Sequence, residues 1–207
     1  MTEYERMQRG FIYDALSEEL TKEIERSRQL CLDFNRTDIK DKEKRDEILK
    51  ELLCLSELNG YCTMEIPIVI DNGKELKIGR NFYANSYFTV IGGCPIEIGD
   101  NVFIGPHCTL ATGLHSFIPE QREIKPDKNG ILHDYEYGKP IKIGSNVWIA
   151  SNVTICAGVT VGDNVVIGAG SVVTRDIPDG VIAFGNPCRV QREINDKDNM
   201  YLATRRG

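Results

Sequence analysis

The sequence predicts a mainly β protein: a solenoid of short stacked coils, with a helical region at its N-terminus. Three observations carry this expectation. From residue 66 onward an aliphatic residue recurs every six positions. A glycine often follows it, with an asparagine two places further on. The first stretch, residues 1–60, keeps helical spacing instead.

In the helical stretch, Thr2 and Glu5 have the form of a capping box. Ser17 is placed to cap a second helix, in which Leu20, Ile24 and Cys31 recur at three- to four-residue multiples. Asp41 is placed to cap a third, with Ile48, Leu52 and Leu55 on one face and Asn59-Gly60 as its stop. Short amphipathic helices of this kind gain their stability by packing on something larger.

Residues 61–188 carry the six-residue period. Ile143, Ile149, Ile155, Val161 and Ile167 form one run; Ile78, Ala84 and Val90 form another, and Ile98, Ile104 and Leu110 a third. Each unit reads as a short strand and a tight turn, with the anchor pointing inward. A second inward residue lies four positions on, as at Val102, Val147, Val153, Val159 and Val165. Gly79, Gly99, Gly105, Gly144, Gly162 and Gly168, and Asn81, Asn101, Asn146 and Asn164, are expected to supply left-handed corners. Stacked coils then bury a continuous aliphatic column.

The register breaks over residues 116–140, which hold Pro119, Pro126, Asn129-Gly130 and Gly138-Lys139-Pro140. No coil accommodates such a stretch, so it is expected to loop out, as lids and binding loops do. Ile177-Pro178-Asp179-Gly180 is expected to close the stack. The polar tail, 189–207, is expected to be helical and to cap the open end of the column.

Composition narrows the function. A net charge of −6 argues against nucleic acid as a partner. No apolar run is long enough to span a bilayer, and the charged start is unlike a signal peptide, so a cytoplasmic protein is expected. Seven scattered cysteines without a CxxC pair suggest reduced, buried thiols rather than a disulfide framework or zinc ribbon. The chain has three histidines, His107, His115 and His133. His115 stands at the root of the excursion, where it serves either as a base or as a hydrogen-bonded structural residue. An imidazole ordinarily titrates near pH 6.5, which suits a base working at neutral pH.

Several stretches are more specific than the repeat. Met7-Gln8-Arg9-Gly10-Phe11-Ile12-Tyr13-Asp14, Ile78-Gly79-Arg80-Asn81-Phe82-Tyr83-Ala84-Asn85 and Tyr137-Gly138-Lys139-Pro140-Ile141-Lys142-Ile143-Gly144 resemble the maltose and galactoside O-acetyltransferases. So do Gly168-Ala169-Gly170-Ser171-Val172-Val173-Thr174-Arg175-Asp176 and Gly185-Asn186-Pro187-Cys188-Arg189-Val190. The resemblance spans nearly the whole chain. It implies a left-handed parallel β-helix, a homotrimer with active sites between neighbouring columns, and transfer of acetyl from acetyl-CoA to a sugar hydroxyl without a metal. It implies His115 as general base and Asn85 close to the reacting centre. Asp14, Asp71, Glu136 and Trp148 match acceptor-side positions, each with a plainer alternative as a turn, surface or packing residue. Ser151, Ala169, Thr174, Arg175, Arg189 and Arg192 match the border of the acetyl-CoA groove, where arginines pair with phosphates. The backbone N–H near Ser151 is a candidate oxyanion donor.

The chain departs from the family in three places. Arg175 stands where lysine is more usual. Gly92-Gly93 stands where an acidic residue commonly touches the acceptor, and residues from about Ile124 to Leu132 are extra. Three rivals remain: an acetyltransferase of chloramphenicol or streptogramin type, which usually lacks the first helical region; a γ-class carbonic anhydrase-like zinc hydratase, which needs three converging histidines; and a scaffold without chemistry.

Overall fold

The computed structural model describes residues 1–203. The six-residue period folds into a parallel β-solenoid whose three faces are sheets of four, seven and five strands. The anchors and their partners from Ile143 to Ile167 are all buried, among them Val147, Ile149, Val153, Ile155, Val159, Val161 and Val165. One face stacks Ile68–Ile70, Phe88–Ile91, Thr109–Ala111, Thr154–Ile155 and Val172–Val173 in that order. Each strand pairs its backbone with the coils on either side, so the column has no unpaired interior edge.

The anchors stack on one another as the period requires. Ile78 pairs with Ile98, Ala84 with Ile104 and Val90 with Leu110. Ile98 then pairs with Ile143, Ile104 with Ile149 and Leu110 with Ile155. The excursion therefore leaves and returns between adjacent coils without shifting the register.

The corners differ from expectation in one respect. Asn81, Asn101, Asn146 and Asn164 are left-handed, with φ of 56–57°. Their side chains form a ladder: each Nδ2 donates to the next Oδ1, at 2.9, 2.9 and 3.1 Å. The glycines that follow the anchors are not left-handed. They are required by close approach: a Cβ on Gly144 would lie 2.7 Å from the carbonyl carbon of Gly162 and 2.4 Å from Asp163 Oδ1.

The N-terminal helices close one end of the column. Helix α1 spans Glu3–Gln8, with the Thr2/Glu5 capping box formed. Helix α2 spans Glu18–Arg36; Ser17 sits at its N-cap, but its hydroxyl makes no capping bond. Helix α3 spans Lys42–Leu52, with Asp41 accepting from the Lys44 N–H. It stops well before Asn59-Gly60, because Cys54 turns left-handed at φ 53° and the Leu55 N–H bonds to the Lys50 carbonyl. Phe34, Ile48, Leu49 and Leu52 pack onto Met64, Ile68, Phe82 and Phe88 of the first coils. Asn35 pairs with the exposed edge as a strand would, donating to the Ile68 carbonyl and accepting from the Ile68 N–H, both at 2.9 Å.

The other end also differs from expectation. Ile177-Pro178-Asp179-Gly180 does not end the stack, since Val181–Gly185 adds a further parallel strand on Val166–Ile167. Cys188–Glu193 then folds back antiparallel on that strand, so the start of the tail is a strand rather than a helix. The edge left by Val181–Gly185 is satisfied more fully by a ladder than by a helix laid over it. Helix follows as a 3-10 turn at Asp196–Asp198 and an α-helical turn at Met200–Ala203, and the expectation for residues 204–207 lies outside the described residues.

Gly144→Ala is expected to destabilise the fold by about 1–3 kcal/mol through overpacking of adjacent coils. A lowered midpoint in chemical or thermal denaturation checks this.

Candidate active site

His115 owes its position to a small antiparallel sheet outside the column. Gly113–Leu114 pairs with Tyr135–Gly138, which pairs on its other edge with Tyr13–Asp14. The excursion is thus rooted in a hairpin, and the N-terminal segment is stitched to it. His115 is the next residue beyond Gly113–Leu114, half exposed, with Nε2 3.5 Å from Glu136 Oε1.

The imidazole borders a cavity of about 350 Å³, which is also lined by Glu136, Asp71, Asn72, Arg28, Tyr13 and Gly92-Gly93. Glu136 Oε2 accepts from the Tyr13 hydroxyl at 3.1 Å. Burial pushes the Glu136 carboxyl above the usual range; the Tyr13 hydroxyl and His115 only partly oppose this. Asp71 is buried, and its Oδ1 accepts from Arg28 Nε at 3.0 Å and Nη2 at 2.9 Å. Asn72 is also buried, and its Oδ1 has no hydrogen-bond partner. The cavity therefore offers a basic nitrogen and two carboxylates, a set suited to a ligand rich in hydroxyl donors.

Gly92 cannot carry an acid in this packing, and an acid at Gly93 requires the Met7 side chain to move. A Cβ on Gly93 would lie 2.0 Å from Met7 Sδ, and one on Gly92, whose φ is 91°, would lie 2.5 Å from the Gly113 nitrogen. The Asp71 carboxylate reaches the same place from the coil before, where its Oδ2 accepts from the Gly92 N–H at 3.3 Å. Sequence reasoning missed Arg28 and Asn72. Arg28 is one charge among many on an amphipathic helix, and Asn72 precedes a glycine, as an ordinary turn residue does.

Asp14 lies behind the cavity wall. Its carboxylate accepts from the Asp134 and Leu16 N–H groups at 3.0 and 3.1 Å and faces His133 Nδ1 at 2.6 Å. It ties the N-terminal segment to the excursion, and His133 serves that tie, stacked on Tyr135. His107 occupies a left-handed corner with its ring stacked on Tyr87, centroids 4.3 Å apart. Among the described residues, the one group of His, Cys, Asp and Glu able to converge on a cation is His115, Asp134 and Glu136, within 4.8 Å of one another. The three-histidine set of a zinc hydratase is therefore not assembled within the described residues of this chain.

The remaining predicted residues lie elsewhere on the column. Asn85 follows the Phe82–Ala84 strand, its Oδ1 accepting from the Ser86 N–H at 2.8 Å, and is not a left-handed corner. On the same sheet Tyr83, Phe103, Trp148, Val166 and Ile182 stack in register and point outward, with Phe103 and Trp148 about half exposed. Neither Asn85 nor Trp148 lines the His115 cavity. Ser151 follows the strand that bears Trp148, and its carbonyl accepts from the Gly170 N–H at 2.9 Å. Ala169, Thr174 and Arg175 are exposed on the last coils, and Arg189 and Arg192 on the terminal hairpin. Arg192 grips Asp198 at 2.7 and 2.6 Å. No helix among the described residues is long and apolar enough to cross a membrane.

Comparison with known proteins bears on this arrangement. Residues 6–54 match the maltose acetyltransferase hexapeptide capping motif, and residues 140–175 the bacterial transferase hexapeptide, six repeats. The galactoside O-acetyltransferase of Escherichia coli K12 is 43% identical, over 95% of this chain and 92% of its own. A maltose O-acetyltransferase from Clostridium difficile 630 superposes with a TM-score of 0.84 at 43% identity, covering 95% of this chain and 99% of that one. A galactoside acetyltransferase in complex with coenzyme A superposes equally well, TM-score 0.84 at 42% identity, over 96% and 94% of the two chains.

The Asp14 tie makes a testable statement about pH. Burial opposes ionisation of Asp14, but the hydrogen bonds from Asp134, His133 and Leu16 outweigh it, so its carboxyl sits below the ordinary 3.8. A depressed carboxyl stabilises the fold fully above the unfolded-state value, and that contribution is lost as pH falls through the folded-state value. Asp14→Asn should therefore lower the unfolding temperature at neutral pH. The difference from wild type should shrink as pH is taken from about 6 to about 3. A constant difference across that range contradicts the assignment.

Proposed function

The chain belongs to the maltose and galactoside O-acetyltransferases of the hexapeptide-repeat class, and on that premise we propose that it transfers the acetyl group of acetyl-CoA to a hydroxyl of a saccharide, with His115 as general base. The observation that carries this reading is the cavity beside His115, where a half-exposed imidazole lies 3.5 Å from Glu136 and shares the lining with Asp71. A sugar supplies hydroxyl donors for the carboxylate lone pairs that Tyr13, Arg28 and Gly92 leave open.

In the proposed reaction His115 Nε2 removes the proton of the acceptor hydroxyl. The oxygen attacks the thioester carbonyl carbon, forming the new C–O bond. The C–S bond then breaks, and the CoA sulfur takes the proton from the imidazolium. Asp71, Glu136 and Asn72 hold the acceptor. Asp14 acts on this site through the Tyr13–Asp14 strand. A backbone N–H near Ser151 meets the oxyanion. Ser151, Ala169, Thr174, Arg175, Arg189 and Arg192 border the acetyl-CoA groove; Arg192 exchanges its Asp198 partner for a phosphate, which a surface ion pair permits at little cost.

Three copies complete the site. The outward stripe through Phe103 and Trp148 is an apolar surface on a flat sheet face, of the kind that marks an association surface. Asn85 lies on that sheet and His115 at a different corner, so a neighbouring column bringing its Asn85 to this His115 accounts for both. The cytoplasm is the compartment that this reading assigns, because acetyl-CoA is an intracellular donor.

His115→Ala is expected to cut acceptor-dependent CoA release by about 10²–10⁴-fold while sedimentation still reports the assembled oligomer. Activity retained within a few-fold would remove His115 from the mechanism. Trp148→Glu is expected to dissociate the oligomer and abolish turnover together; an active monomer would refute the shared site.

A further inference from the structure

A second chamber of about 600 Å³ adjoins the His115 cavity, and Glu136 lines both. Its size falls in the range of roughly 300–1,000 Å³ typical of small-molecule sites. One wall is built by residues 125–133 of the excursion. Lys125–Pro126 pairs antiparallel with Leu132–His133. The turn between them is held by Asp127 Oδ1, which accepts from the Asn129 and Ile131 N–H groups at 2.7 and 2.9 Å. The wall is pinned to the N-terminal segment by His133 Nδ1 and Asp14 Oδ2, 2.6 Å apart. The wall is therefore an ordered hairpin fixed at both its turn and its base.

The lining has two characters. Ile12, Pro126, Tyr135 and Tyr137 offer apolar and aromatic surface, and Glu123 and Glu136 offer carboxylates. A pyranose ring needs both at once: its C–H face packs on aromatic or apolar groups, and its equatorial hydroxyls donate to carboxylates. A purely apolar guest would desolvate the carboxylates, which Lys125 and Tyr13 satisfy only in part, without adding a donor.

We propose that this chamber is a second sugar subsite, so that the acceptor is a disaccharide or longer oligosaccharide whose non-reacting ring lies against the 125–133 hairpin. The proposal rests on the saccharide reading of the His115 site and narrows it. The first ring sits between His115, Asp71 and Asn72, and the glycosidic link passes Glu136. Tyr135 and the hairpin then set chain-length specificity without touching the reacting hydroxyl.

The test compares kcat/KM for CoA release with methyl glucoside against maltose, and with methyl galactoside against lactose. The enzymes are wild type, Tyr135→Ala, and a variant in which residues 125–132 are replaced by a short Gly-Ser turn. The oligomer of each is checked by sedimentation. For at least one pair, wild type is expected to favour the disaccharide by about tenfold or more, largely through KM. Tyr135→Ala should remove most of that preference, leaving the methyl glycoside within about twofold and the KM for acetyl-CoA unchanged. The shortened variant should show the same pattern. No disaccharide preference in wild type would overturn the subsite while leaving saccharide acetylation intact. So would an equal loss on both members of a pair, or a phenyl glycoside preferred to the disaccharide, which would make the chamber an aglycone pocket. Absence of turnover with every saccharide, with acetyl-CoA still bound, would overturn the acceptor class itself and the subsite with it.

Discussion

The constraint on which the rest depends is the close vertical stacking of coils. Each coil must place an aliphatic anchor over the one before and present its backbone at ladder distance. The glycine column shows how tight that approach is, because at Gly144 the next coil's backbone already occupies the space of a methyl group. A stack of this kind cannot absorb an irregular insertion within a coil, since one displaced anchor would shift every later side chain to the wrong face. It can accommodate one only where the chain leaves and re-enters at adjacent positions. The 113–138 hairpin meets that condition, with Leu110 and Ile155 still paired across it. A functional loop on such a scaffold therefore has a rigid root, and His115 is the first residue beyond that root.

The stack leaves two open ends, and the chain treats them differently. At the end reached by Val181–Gly185 an antiparallel return strand completes the ladder. At the other end three helices cover the first coils, and Asn35 satisfies a strand edge with its side-chain amide. The cap does more than protect an edge. Its first segment runs up the column, so that Met7 fills the space beside Gly93, Tyr13 donates to Glu136, and Asp14 holds the excursion through His133. Stability of the cap and geometry of the cavity are consequently set by the same contacts.

The column was legible because its signal is periodic and redundant: a run such as Ile143 to Ile167 fixes register without tertiary information. The place where His115 would fall was legible for the same reason, as a break in an otherwise regular pattern. Two kinds of feature were not. The glycines were assigned to left-handed corners, yet they answer to a neighbouring coil 16 or more residues away, which local backbone preference does not encode. The tail was assigned to helix, but Cys188–Glu193 takes the strand conformation that the waiting edge of Val181–Gly185 rewards. Arg28 and Asn72 were invisible individually because their meaning comes from long-range placement: a helix residue laid over a coil corner, and a turn amide turned into a cavity.

The acceptor side raises the question of how a site can lose an acid at one position and keep its chemistry. An isolated buried carboxylate is costly, and its cost falls when it is paired and hydrogen-bonded. Asp71 meets both conditions, with a two-nitrogen clamp from Arg28 and an N–H from Gly92. Gly92, which cannot carry a side chain, leaves the room and the N–H that the Asp71 carboxylate uses. Met7 closes the arrangement, since it occupies the space an acid at Gly93 would need. Arg28, Asp71, Gly92-Gly93 and Met7 therefore form one unit. An acid at Gly93 would require Met7 to move and would set a further carboxylate near Glu136, whose ionisation burial already opposes. Under the proposed reaction, acceptor recognition on this side of the cavity rests on Asp71, and the contacts that hold its carboxylate also hold the N-terminal cap to the column.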